Sequence, residues 1–148
     1  MPFTEIPYER SVAIIPMVRP GLPFEDESNT AAIRTLKRTV CKAFHEIIER
    51  EYPLAFWFSG DSVFQILAVE TLLRMRDAKD IFCIEALTGR EHLHLTPYWY
   101  KRFLHLPLHD CVALPHQPEP TTNAAIYMSD RCRIKVYYIP NTQRILWG

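Results

Sequence analysis

Five short apolar runs, each separated from the next by enough chain to hold a helix, constrain this sequence more than any other feature. They are Ser11 to Pro16, Leu54 to Phe58, Asp80 to Ala86, Asp110 to Leu114 and Arg133 to Ile139. Their length and their β-branched and aromatic content suit buried strands. Between the first two, Ser28, Asn29 and Thr30 offer N-caps for a long helix in which Ile33, Leu36, Val40, Phe44, Ile47 and Ile48 recur at helical spacing, and Pro53 ends it. After the second run the chain breaks at Ser59-Gly60-Asp61 and enters another helical pattern through Phe64, Leu67, Ala68, Leu72 and Met75. Pro97 opens a short aromatic helix reaching Leu106, and one or two helical turns fit between Thr121 and Asp130. Parallel strands need crossovers long enough to hold a helix. The pattern therefore predicts an α/β protein: a three-layer Rossmann-like fold with a mainly parallel sheet of about five strands and helices on both faces. No repeat, low-complexity segment or boundary divides residues 1–148, so one domain is expected, with the residues after Ile139 as a tail.

A chain of 148 residues buries enough surface to hold together without disulfides or metals. Lysine plus arginine and aspartate plus glutamate number 17 each, which argues against a nucleic-acid binder that relies on phosphate neutralisation, although a local basic patch stays open. No apolar run approaches a membrane span, and the stretch from Met1 to Arg10 is polar, so a cytoplasmic protein is expected. Cys41, Cys83, Cys111 and Cys132 lack the short paired spacing of a zinc or redox motif and read as reduced. Twelve prolines against four glycines imply stiff loops.

Candidate chemistry centres on the turn at Ser59, Gly60 and Asp61. A helix N-terminus presents free N–H groups and partial positive charge, so such a turn can hold a phosphate; equally, Ser59 or Asp61 can simply cap the helix. Arg19, in the loop after the first strand, can reach an anion at Gly60 or pair with Glu25 or Asp26 in its own loop. Glu70, on the following helix, can bind a ribose hydroxyl or act as a general base, or can pair with Arg74 four residues on. His92 and His94, His105 and His109, His116 and His45 raise a metal, but Pro107 separates the pair at i and i+4 and no HExxH or CxxC accompanies them; no metal and no cofactor is expected. Tyr98, Trp99, Tyr100 and Phe103 suit core packing for at least two of the four. Ile145, Leu146 and Trp147 form an apolar end that should dock on its own domain or on a second subunit. No nucleophile elbow or activated cysteine points to a triad hydrolase.

Several stretches together carry a resemblance. Arg19-Pro20 follows the first strand, Phe56-Trp57-Phe58-Ser59-Gly60 is an aromatic strand closing on serine-glycine, Ala68-Val69-Glu70 sits in the next helix, and Thr122-Asn123 precedes Ile134 to Tyr137. This order, over roughly Ser11 to Tyr138, resembles the YpsA-like branch of the SLOG superfamily, Rossmann-like domains related to DprA and to the Lonely Guy phosphoribohydrolases. The resemblance implies a nucleotide-like small molecule as ligand, with phosphate near Ser59 and Gly60, Arg19 as counter-charge, Asn123 from the last crossover, and a homo-oligomer. It also implies Glu70 as the acid that would act on an N-glycosidic bond in a catalytic member. The second glycine of the family's turn, its early helical aspartate and its closing glycine-glycine-threonine are missing here. The expectation is a remodelled site that binds or senses a ligand without turning it over, the alternatives being a phosphoribohydrolase-type enzyme and an interaction module that has lost its ligand.

Overall fold

A computed structural model describes residues 6–17, 19, 21–86, 89, 91–108, 111–113 and 123–148. The strands are β1 (Ser11–Ile14), β2 (Ala55–Phe58), β3 (Phe82–Glu85), β4 (Cys111–Ala113), β5 (Ile134–Ile139) and β6 (Arg144–Trp147). The helices are α1 (Thr30–Glu51), α2 (Val63–Arg74), α3 (Glu91–His94), α4 (Pro97–Leu104) and α5 (Ala124–Ser129). The sheet runs β4-β3-β2-β1-β5-β6, with the first five strands parallel.

Local chemistry places the helix starts. Asn29 Oδ1 accepts the Ala32 N–H at 3.1 Å to open α1, and Thr96 with Pro97 opens α4. The α1 stripe foreseen from its spacing is buried at Ile33, Leu36, Val40, Phe44 and Ile47. Alternation along the strands then separates two cores. Val12, Ile14, Phe56, Phe58, Ile134 and Val136 face α1, α2 and α4, where the rings of Phe44 and Phe56 meet at 4.9 Å. Ala13, Ala55, Trp57 and Ile84 face the other way, beneath Met128 of α5, Cys132 and Ile6. The fold is thus the expected α/β three-layer arrangement, with most of the helical mass on one face.

Right-handed crossovers explain this lopsidedness. From β1 to β4 the chain steps always in one direction, so α1, α2 and α4 fall on the same face. To reach β5 on the far side of β1 it must reverse, and α5 falls on the other. The carboxyl ends of β1, β2 and β3 consequently open side by side along one edge.

The end of the chain departs from the expectation of a tail. Residues 144–147 form β6, antiparallel to β5, and Ile145 and Trp147 pack against the larger core, so the apolar end docks on its own domain. The connecting turn lacks the asparagine-glycine or glycine that marks a hairpin in sequence. Its left-handed position is filled by Gln143, at φ 54°. Because a side chain there is sterically disfavoured, Gln143→Gly should raise stability by about 1 kcal/mol, read as a higher urea midpoint with an unchanged slope.

Candidate functional site

The edge where β1, β2 and β3 end is polar in a molecule whose strands are otherwise almost wholly apolar. Ser59, fully buried, leads out of β2. Its Oγ lies 2.7 Å from Asp61 Oδ2 and 3.2 Å from Gln65 Oε1, while Gln65 Nε2 donates to the Ile14 carbonyl at 2.8 Å. Ser62 Oγ accepts from Met17 N–H at 3.1 Å. These bonds stitch the loop after β1 to the start of α2. No side chain caps α2, so Ser59 and Asp61 serve the turn itself and not the helix.

Gly60 is closed in. A Cβ at this position would fall 2.6 Å from Glu91 Cγ and 2.8 Å from Phe103 Cζ. The residue must be glycine because α3 and α4 bring a carboxylate side chain and a ring directly over it. Glu91 is buried, and Glu85, which ends β3, is the register partner of Phe58, immediately before Ser59. His94 Nε2 stands 3.6 Å from Asp61 Oδ1. The turn foreseen as a phosphate cradle is therefore bordered by Asp61, Glu85 and Glu91. Hydroxyl or amine donors would find acceptors there.

Burial first, and the charge of Glu91 second, push the Glu85 carboxyl from 4.5 to about 7. A carboxyl that titrates near neutrality at the carboxyl edge of a parallel sheet can both give and take a proton. Sequence reading passed over Glu85 and Glu91. The available signal was an acid inserted between Ile84 and Ala86 at the end of an apolar strand.

The other residues singled out from sequence lie elsewhere or have other partners. Arg19 is exposed, its Nη1 lying 3.5 Å from Asn141 Oδ1 in the β5–β6 turn. Asn123 is the N-cap of α5, accepting from Ile126 N–H at 3.1 Å. Glu70 accepts from Arg102 Nε and Nη2 at 2.6 and 2.7 Å and pairs with Lys37 Nζ at 2.8 Å, so its partners are these and not Arg74. Burial raises its pKa, but the bonds from Arg102 and Lys37 outweigh burial and hold it below the ordinary carboxylate value. An acid so committed ties α1, α2 and α4 together and is a weak proton acceptor. Trp99 and Phe103 are core residues, Trp99 Nε1 donating to the Glu25 carbonyl at 2.7 Å. His105 Nδ1 contacts the Lys101 carbonyl, and among the described residues no group of His, Cys, Asp and Glu is arranged to hold a metal. His109, His116, Pro20 and Thr122 lie outside the described residues, and no described helix is long and apolar enough to cross a membrane.

Two measurements test these assignments. The folded chain retains the Glu85 proton that the unfolded chain releases near 4.5, so this group's contribution is complete below that pH and is lost as pH rises to about 7. Glu85→Gln should unfold at a higher temperature than the wild type at pH 8, with the gap closing as pH falls to 4.5; an equal gap throughout would refute the shift. Glu70→Ala, which strands Arg102 and Lys37, should cost about 2 kcal/mol in urea unfolding, and a loss below about 0.5 kcal/mol would mean that solvent screens the network.

No protein-family model matches the sequence, and no curated protein matches it.

Proposed function

We propose that this protein is a binding or sensing domain for a nucleotide derivative, held at the carboxyl edge of β1, β2 and β3, with sugar hydroxyls and not a phosphate facing Gly60. The observation that carries the reading is the seating of Glu91 over Gly60, beside Glu85 at the end of β3. Open α/β sheets take ligands at this edge, and carboxylates accept hydrogen bonds from vicinal hydroxyls while repelling phosphate. The resemblance to YpsA-like SLOG domains points the same way as to ligand class. It also favours a homo-oligomer.

The near-neutral Glu85 favours a second reading, an enzyme of the phosphoribohydrolase type. Cleaving an N-glycosidic bond calls for an acid to protonate the departing base while water adds to the cationic sugar, and Glu85 can supply that proton near neutrality. Glu70 does not fit that role, being bound on both oxygens.

A ligand that binds only the folded state raises its stability by mass action. In thermal-shift titration, adenosine should stabilise the wild type in a concentration-dependent manner, and Glu85→Ala should lose that stabilisation while keeping a cooperative transition. Stabilisation that survives Glu85→Ala would sink the proposal. Release of adenine from adenosine monophosphate by the wild type, abolished in Glu85→Gln, would establish the enzymatic reading.

A further inference from the structure

Away from the carboxyl edge, a groove of about 670 Å³ runs between α1 and the end of α2. Its size is that of a small-molecule site. Arg38 enters from α1, Arg74 from the last turn of α2 and Arg76 from the turn that follows. Between them lie Cys41, Thr71 and Met75, the last two buried, so charge surrounds a less polar floor.

What distinguishes the groove is the state of its arginines. Among the described residues, Arg10, Arg19, Arg50, Arg102, Arg131 and Arg133 each hold a hydrogen bond or ion pair. Arg34, Arg38, Arg74, Arg76 and Arg144 hold none through their side chains, and three of these five converge here. The acids that could neutralise them are diverted. Glu70, at pairing distance in sequence from Arg74, turns to Arg102 and Lys37. Asp77 Oδ2 lies 2.6 Å from His45 Nδ1, which leaves Glu49 as the one uncommitted acid among the described residues lining the groove. A chain with no net charge thus gathers unpaired guanidinium groups in one concavity.

We propose that this groove binds a small phosphate-bearing molecule with an apolar or aromatic body. Guanidinium groups present paired N–H donors that match phosphate oxygens, and donors from separate elements can hold a dianion from more than one side. The floor of Cys41, Thr71 and Met75 takes the body of the ligand. The groove is lined by none of Ser59, Gly60, Asp61, Glu85 or Glu91, so this inference does not rest on the reading of the carboxyl edge.

The probes are adenosine monophosphate and inorganic phosphate, titrated calorimetrically at low ionic strength, where charge pairing is least screened. Adenosine monophosphate should bind roughly tenfold or more tightly than inorganic phosphate. Arg74→Gln/Arg76→Gln should weaken it by roughly tenfold or more, whereas Arg34→Gln/Arg144→Gln, which removes two unpaired arginines outside the groove, should leave it unchanged. All four positions are exposed, so both variants should fold, which their thermal transitions would verify. Bound nucleotide should also slow iodoacetamide alkylation of the half-buried Cys41, read by mass spectrometry against buried Cys83 and Cys132. Absence of binding, equal loss in both arginine variants, or unchanged Cys41 alkylation at saturation would overturn the proposal. Equal affinity for the two probes would overturn the ligand class. Loss of binding in Glu85→Ala with the groove variant unaffected would assign the nucleotide to the carboxyl edge and overturn the groove site.

Discussion

A parallel strand can be joined to its neighbour only by a crossover that travels back along the sheet, and that crossover is right-handed. Everything else in this molecule follows from how that constraint is met. Four strands laid down in one direction put α1, α2 and α4 on one face, and the single reversal to β5 leaves α5 to cover the other. Strand ends are brought into line along one edge, and the backs of α1 and α2 are brought together to make a groove. Both candidate sites are products of the winding before they are products of particular side chains.

The two best-defined glutamates illustrate how little a residue type says without its surroundings. Glu70 and Glu85 are both partly buried, and burial alone raises the pKa of each. At Glu70 a bidentate arginine and a lysine reverse the outcome, so the carboxylate stays ionised and acts as a strut between three helices. At Glu85 the neighbour is a second carboxylate, and the proton stays on to neutral pH. The sequence offers no hint of this division of labour: Lys37 and Arg102 are remote from Glu70 along the chain, and the nearer Arg74 was the partner to expect.

Charge is also distributed by the fold more than by composition. The balance of 17 cationic and 17 anionic side chains describes a neutral protein, yet carboxylates collect at the edge around Gly60 and unpaired arginines collect between α1 and α2. The pairing of Glu70 with α4 connects the two regions. By drawing that acid away from Arg74, it completes the helical layer over the sheet and leaves the groove cationic.

What the sequence determined by itself was the order of the first five strands and of α1, α2, α4 and α5 between them. Short apolar runs, the cap at Asn29, Pro97 at the start of α4 and the break at Ser59-Gly60 are local signals, and local backbone and hydrophobic preferences suffice to turn them into strands, helices and turns. They fixed the α/β class, the parallel sheet and the position of the turn after β2. Three things required the tertiary structure. The strand at 144–147 exists because β5 offers it an edge, and Gln143 accepts a left-handed backbone without the glycine that would have announced the hairpin. The character of the Gly60 turn is set by Glu91 and Phe103, which only the passage through β3, α3 and α4 brings over it. The fate of Glu70 is set by Arg102 in the same way. Most of the secondary structure is encoded among neighbours in the chain, but the pairing of β6, the ionisation of a carboxylate and the room above a glycine depend on whichever groups the fold places within a few ångströms, and those are seldom neighbours in sequence.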